Sequence, residues 1–250
     1  MFKNKLPKIS CFCPTFARPF LLEESLKSFL DQDYEGEKEL IILNDCSDQT
    51  LIFDHPEVKI FNVNNRIEPI GKKFNDTAEL CSGDILMPWD DDDIFLPWRF
   101  KTTLKYMRNG LFHVNKALFE DDYQRLIISE NVFQCNLAIS RKNWDKVGGY
   151  PNSNERALDV VLLDNIERII GNPRVKIPYK DIFYIYRWSQ TNSYHISVIT
   201  TDEICDFVEE TEKIVEKQKK NGLFVSGQIF LDPKYKYDYI SSAKAALKRP

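Results

Sequence analysis

The sequence predicts an α/β fold: a mixed, mostly parallel central sheet flanked by helices, forming one globular domain with a C-terminal helical extension. Three observations carry this expectation. Short apolar runs alternate with segments of helical periodicity, the pattern of parallel strands joined by helical crossovers. Polar clusters follow several of those runs directly, as loops do at the carboxyl edge of such a sheet. The 250 residues, 43% hydrophobic and 29% charged, suit an ordinary globule whose core needs no disulfide or metal staple.

In chain order, Ile9 to Cys13 reads as a buried strand stopped by Pro14. Leu22, Leu26, Phe29 and Leu30 follow at helical spacing, with Glu23 and Glu24 where the helix dipole favours anions. Glu39 to Leu43 is a second strand and Lys59 to Asn62 a third. Phe74 to Cys81 suits a short helix with Gly83 as its stop signal, and Ile85 to Met87 is a fourth strand. Pro97 fits the first turn of a helix continued by Phe100, Leu104 and Met107. Leu126 to Ser129 and Gln134 to Ser140 read as strands, Asp159 to Ile170 as a helix, and Lys176 to Tyr186 as strand-rich. A helical face runs through Ile204, Phe207, Val208, Thr211, Ile214 and Val215, ending at Gly222. The tail beyond it has no assignment.

Composition excludes several classes. A net charge of −4 gives no global field for polyanions, so no nucleic-acid partner is expected. The stretch from Lys234 to Pro250 runs the other way, with five basic residues and one acidic. No apolar run approaches the roughly 18 residues that span a bilayer, and Met1 to Ser10 has no apolar signal-peptide core. The six cysteines form no C-x-x-C pair and read as reduced cytoplasmic thiols.

The most informative stretch is Trp89-Asp90-Asp91-Asp92-Asp93, four carboxylates directly after an apolar strand. They repel one another unless something neutralises them, and hard oxygen ligands in a loop suit Mg²⁺ or Mn²⁺ bridged to substrate phosphates. The topology brings Thr15, Asp45 and Asp90 to Asp93 to one crevice. No Walker or G-x-G-x-x-G phosphate loop occurs, which removes P-loop enzymes and disfavours dinucleotide-binding Rossmann enzymes. The residues alone thus point to a metal-dependent α/β enzyme that uses a nucleoside diphosphate.

The motifs resemble those of family 2 glycosyltransferases of the GT-A, Rossmann-like fold. Cys13-Pro14-Thr15-Phe16-Ala17-Arg18 is similar to the family's P-T-[YF]-N-R opening, with Ala17 in place of Asn. Glu39-Leu40-Ile41-Ile42-Leu43-Asn44-Asp45 resembles the strand that ends in paired aspartates, with Asn44 replacing the first. Gly71-Lys72-Lys73-Phe74-Asn75, with Gly83-Asp84-Ile85 and the aspartate run, resembles G-x-K-R-N … G-[DE]-I … W-D-D-D-D; Phe74 stands for the arginine. Gly148-Gly149-Tyr150 and the Asp159 helix match G-G-[FY] … E-D less closely, Leu158 replacing the acid before the base.

The resemblance covers roughly residues 8 to 195. It implies a donor half over 1–97 and an acceptor half over 98–200 of one domain, with 201–250 as a C-terminal helix and tail. It implies an inverting, metal-dependent glycosyltransferase that moves a sugar from a nucleotide-sugar, with UDP-sugar favoured, to an acceptor hydroxyl in glycan or polysaccharide synthesis. Pro14, Thr15, Arg18, Asp45, Lys73, Asp90 and Asp91 would contact the donor, with Asp45 accepting the N3–H of uracil or thymine. Asp92, with His195 in the shell, would hold Mn²⁺ or Mg²⁺. Asp159 would be the base, with Glu155 and Asp164 as rivals. Trp89, Trp98 and Trp188 are candidates for stacking on sugar, two of them expected in the core. The acceptor would be a glycan, lipid-linked or other hydroxyl, met in the cytoplasm or peripherally at a membrane's inner face. A non-catalytic nucleotide-sugar or glycan-binding module on the same fold is the alternative, for which Leu158 speaks.

Overall fold

The computed structural model describes residues 5–121, 124–154, 157–188 and 206–248. Its central sheet has six strands. β1 (Ile9–Thr15) lies between β2 (Lys38–Asn44) and β5 (Ile85–Pro88), parallel to both, and β4 (Val58–Asn62) extends the parallel part beyond β2. β10 (Ala138–Ser140) adds antiparallel to β5, and β7 (Leu111–Phe112) adds to β10.

Every residue of β1 is buried, because the sheet is covered on both faces. Ile9, Cys11 and Cys13 pack with Leu40, Ile42 and Met87 on one side, against Leu22, Leu26 and Phe29 of α1 (Pro19–Leu30). Phe12, Ile41 and Leu86 point to the other side, against Leu162 and Ile166 of α5 (Leu158–Ile169). The period-two alternation, with both faces apolar, is why these strands read as continuous hydrophobic runs.

β1 runs through Pro14 rather than stopping at it. The Phe12 carbonyl accepts from the Trp89 amide, so Pro14, two residues on, faces the same side, where β5 has already ended. Its missing N–H therefore breaks no ladder bond. The helix expected from Phe74 is α2 (Ile70–Glu79) and begins four residues earlier. Gly83 lies beyond its end and is needed for another reason: a Cβ there would meet the Ser10 hydroxyl at 2.5 Å.

A second sheet orders β6 (Ile94–Phe95), β11 (Tyr184–Arg187), β8 (Lys116–Glu120) and β9 (Leu126–Glu130). Only Tyr184–Arg187 of the strand-rich 176–186 stretch, with Arg187 added, pairs. Part of the expected strand over Gln134 to Ser140 is a 3-10 turn at Gln134–Asn136. The helix after Pro97 is α3 (Arg99–Tyr106), and α4 (Arg141–Val147) follows β10.

The C-terminal part packs onto the body. α6 (Phe207–Lys220) is capped by Asp206, whose carboxylate accepts from the Val208 and Glu209 amides. β12 (Gly227–Phe230) pairs parallel with β3 (Gln49–Ile52), and α7 (Tyr239–Ala246) closes the chain. Glu24, expected to serve the α1 dipole, is instead buried. Its carboxylate takes Arg187 Nη1 at 2.6 Å and the Lys236 amide at 2.9 Å, with Tyr239 completing the cluster. Five cysteines (11, 13, 46, 81 and 135) are buried free thiols; Cys205 lies outside the described residues.

Candidate active site

The carboxylate run leaves the end of β5 on a rigid base. Trp89 is fully buried against Phe95, ring centroids 4.1 Å apart, and its indole N–H donates to the Ser25 carbonyl. Beneath it the buried Arg99 guanidinium donates to the Pro88 and Cys135 carbonyls, tying β5 to the turn that precedes β10. Trp89 is a core residue, and the half-buried Trp98 packs against the core and donates to the Ile182 carbonyl at 3.0 Å.

From this base the four carboxylates diverge. Asp93 turns inward, where it accepts from the Tyr184 hydroxyl and from the Arg187 amide at 2.7 Å. Asp90, Asp91 and Asp92 line a cavity of about 370 Å³. The Thr15 hydroxyl and Arg18 both donate to Asp91, Arg18 Nη1 reaches Asp92 at 2.6 Å, and Gln134 reaches Asp90 at 3.1 Å. Burial, reinforced by repulsion from Asp92, pushes the Asp90 carboxyl up to about 7. Burial also raises Asp91, with the Arg18 guanidinium opposing it. Crowded carboxylates in a desolvated loop hold a surplus of negative charge that favours a cation.

A second cluster stands beside it. Lys73, on the buried face of α2, donates to Asp45 at 2.6 Å and to the Thr15 carbonyl at 2.7 Å. Burial lowers its ammonium to about 8, partly opposed by Asp45. Lys72 is exposed and pairs with Asp76. Asp45 also accepts from Arg66 at 2.7 Å and from the Ile67 amide at 3.0 Å. Arg66 lies 3.5 Å above the Phe16 ring and donates to Thr211 of α6. Asn44, where the resemblance has an aspartate, uses its amide to donate to the Gln49 carbonyl and to Asn62. A carboxylate could make neither bond.

The far wall comes from the second half of the chain. Asp159 sits in the first turn of α5 and lines the cavity, its carboxyl raised by burial. Phe119, Phe133, Tyr184 and Tyr186 form an aromatic flank, with Phe133 and Tyr186 centroids 5.5 Å apart. The loop before α5 is held by α2. Asn75 and Tyr150 exchange hydrogen bonds at 2.9 and 2.8 Å, and the Gly71 amide donates to Ser153 at 3.2 Å. The glycine and asparagine of the Gly71-to-Asn75 motif thus clamp the 149–154 loop, while Lys73 between them faces the site.

Of the expected site residues, Pro14, Arg18, Lys73, Asp90, Asp91, Asp92 and Asp159 share the cavity lining. Thr15 stands just behind it. Asp45 lines an adjoining cavity of about 280 Å³ with Phe16, Arg66 and α6 residues, its oxygens engaged by three donors. Asp164 is exposed on α5. His195 and Glu155 lie outside the described residues. Sequence reasoning missed Arg66, Gln134 and the aromatic flank. Phe119 belongs to a strand that was not foreseen, and a lone arginine in a polar loop carries no periodic signal.

A divalent metal fits the donor set in its chemistry, since hard carboxylate oxygens of Asp90, Asp91 and Asp92 face one cavity. Among the described residues no three metal-binding side chains form a ready-made cage. No helix of the described residues is long and apolar enough to cross a membrane.

Comparisons with known proteins bear on the family and the fold. A family model described as Glycosyl transferase family 2 matches residues 10–125. The GalNAc(5)-diNAcBac-PP-undecaprenol beta-1,3-glucosyltransferase of Campylobacter jejuni is 34% identical over 117 residues, 44% of this chain and 37% of that protein. The putative colanic acid biosynthesis glycosyl transferase WcaA of Escherichia coli is 30% identical over 47% of this chain and 43% of its own. The matches therefore span less than half of these curated relatives. Among solved structures, S. aureus TarS 1-349 with UDP-GlcNAc superposes with a TM-score of 0.59 at 14% identity, over 84% of this chain and 66% of that one. The mannosyltransferase PcManGT of Pyrobaculum calidifontis, with GDP-Man and Mn²⁺, gives 0.57 at 16%, over 98% and 70%. At such identities the structural likeness speaks for the fold, which is GT-A. Over residues 10–125 the chain is thus similar to family 2 glycosyltransferases, and its fold is the one they share.

Proposed function

We propose that this chain transfers a sugar from a nucleotide-sugar, UDP-sugar foremost, to an acceptor hydroxyl of a glycan or lipid-linked glycan, with a divalent metal and inversion at the anomeric carbon. One observation carries the reading: Arg18, Lys73, Asp90, Asp91, Asp92 and Asp159 line a single cavity at the carboxyl edge of parallel strands. The relatives supply the chemistry by analogy, since TarS is solved with UDP-GlcNAc and PcManGT with GDP-Man and Mn²⁺. The Campylobacter relative's name places its acceptor on PP-undecaprenol, which is the reason to test a lipid-linked acceptor at a membrane surface.

In this reading Asp92 holds the metal, with Asp90 and Asp91 beside it, and His195 is its candidate partner. When bound, Mn²⁺ or Mg²⁺ would neutralise the charge that develops on the leaving diphosphate. Lys73 presents a buried cation to the same charge, worth more there than in water. Thr15 and Arg18 fix the orientation of Asp91. Asp45, braced by Lys73 and Arg66, stands at the base end of the donor. Asp159 takes the proton from the acceptor hydroxyl as that oxygen attacks the anomeric carbon. Its carboxyl, raised by burial, is a better base than an exposed aspartate. The aromatic flank gives an acceptor ring an apolar surface to lie on.

The test is release of nucleoside diphosphate from UDP-, TDP- and GDP-sugars, with Mn²⁺ or EDTA, by the native chain and by Asp159→Asn. Metal-dependent release with one donor class, lost in the variant, supports the assignment. Tight nucleotide binding with no release under any acceptor would instead make the chain a binding module.

A further inference from the structure

Arg18 is built into the site more firmly than a surface arginine. Its backbone carbonyl accepts from the Leu21 and Leu22 amides, which makes it the N-cap of α1, and Pro19 fixes the residue that follows. Ala17 before it holds φ at +59°, the left-handed region, and so aims the chain toward the aspartate loop. The side chain is 14% exposed. One nitrogen pairs with Asp91 and the other with Asp92, so one planar cation bridges both carboxylates. Asp92 is the residue proposed above to bind the metal.

We propose that Arg18 is a latch on the metal-binding carboxylates: it holds Asp91 and Asp92 together before the donor arrives, yields Asp92 to the divalent ion, and turns its guanidinium to the donor's diphosphate. The inference rests on the proposed function. Its physical basis is competition. The guanidinium occupies a lone pair of Asp92 Oδ2 and offsets the carboxylate charge that a divalent ion would use, so Arg18 raises the concentration of metal needed to fill the site without nucleotide. Once a diphosphate is present, the freed guanidinium gains a bidentate anion of its own. The two effects make metal and nucleotide bind cooperatively, so that neither is held tightly alone.

The test reads Mn²⁺ directly, by the loss of its free-ion electron paramagnetic resonance signal on titration into the full chain, with and without UDP. In the native chain UDP tightens Mn²⁺ strongly. Arg18→Gln, which removes the charge and keeps most of the volume, is expected to tighten Mn²⁺ without UDP by about tenfold and to reduce the UDP-dependent gain by a similar factor. Arg18→Lys, a charge that cannot bridge two carboxylates, falls between the two. Loss of the positive charge alone would tighten Mn²⁺ equally with and without UDP, so the fall in the UDP-dependent gain is the reading specific to the latch. Unchanged or weaker Mn²⁺ binding in folded Arg18→Gln, beside normal cooperative binding in the native chain, overturns the latch alone. Should Arg18→Gln not fold, Arg18→Lys binding Mn²⁺ no tighter than the native chain overturns it equally. If the native chain binds neither Mn²⁺ nor UDP, the proposed function falls and the latch with it.

Discussion

Gly71→Ala tests how the two halves of the chain are joined. A Cβ at Gly71 would lie 1.9 Å from the Pro151 carbonyl oxygen, 3.1 Å from its carbon and 3.3 Å from the Ser153 oxygen. These are backbone atoms, so no side chain can swing aside, and the 151–153 segment has to retreat by more than an ångström. Overpacking of this kind costs about 1–3 kcal/mol. The retreat also loosens the Gly71 amide bond to Ser153 and the Ile70 amide bond to Asn154, each worth about 1 kcal/mol. The expected loss is thus about 3–5 kcal/mol in urea unfolding. The same segment leads into α5, so Asp159 shifts with it, and a misplacement of about 1 Å costs on the order of a hundredfold in turnover. Gly148→Ala is the control. Gly148 has φ +81° but nothing within 4 Å of its added Cβ, so backbone strain alone applies, about 1 kcal/mol, with turnover little changed. A Gly71→Ala chain within about 0.5 kcal/mol of the native stability, and as active, would refute the clamp.

Two further expectations follow from buried charges. Lys73 falls from 10.5 to about 8, so its charge is lost progressively as pH rises through that value. UDP affinity should weaken by about tenfold per pH unit above that point, and Lys73→Met should bind weakly with that slope removed. The same shift has the opposite sign for stability: between pH 8 and 10.5 the unfolded chain holds a proton that the native one has released, so this group adds stability as pH rises. Titrations of UDP binding and of urea midpoints from pH 6.5 to 9.5 read the two trends separately. Glu24→Gln leaves the Arg187 guanidinium buried with its main counter-charge gone, at a cost of about 3–5 kcal/mol. Protease cleavage between Asp232 and Leu247 should appear first, because the Lys236 amide and Tyr239 hydroxyl bond to the same carboxylate.

The parts of this architecture that could be read in advance are those where one local rule decides. Fully buried parallel strands show as apolar runs, and β1, β2 and β5 follow that signal closely. Leu22, Leu26 and Phe29 sit on the buried face of α1 as their spacing requires. The carboxylate run after an apolar strand points to the candidate site, because four adjacent charges are costly without a purpose, and three of them line the cavity. What escaped depends on contacts distant in sequence. β6 and β7 have two residues each, too few for any periodicity. β12 exists through its pairing with β3, and an exposed Phe230 within it gives no sign of that partner. Glu24 read as a helix-dipole anion because its counter-ion, Arg187, lies 163 positions away. Asp45 reads as the acceptor for a nucleobase, and no motif reveals that Arg66, Lys73 and the Ile67 amide brace it.

The proposed role of Asp92 is to bind a metal that joins the protein to a nucleoside diphosphate. Isothermal titration of UDP into the chain, with Mn²⁺ and with EDTA, for the native protein and for Asp92→Ala, tests it most directly. UDP is expected to bind with Mn²⁺ and to weaken at least about a hundredfold in EDTA, and equally in Asp92→Ala whatever the metal, while the circular dichroism of the variant stays native. Asp92→Ala that binds UDP as well as the native chain, with its Mn²⁺ dependence intact, would contradict it.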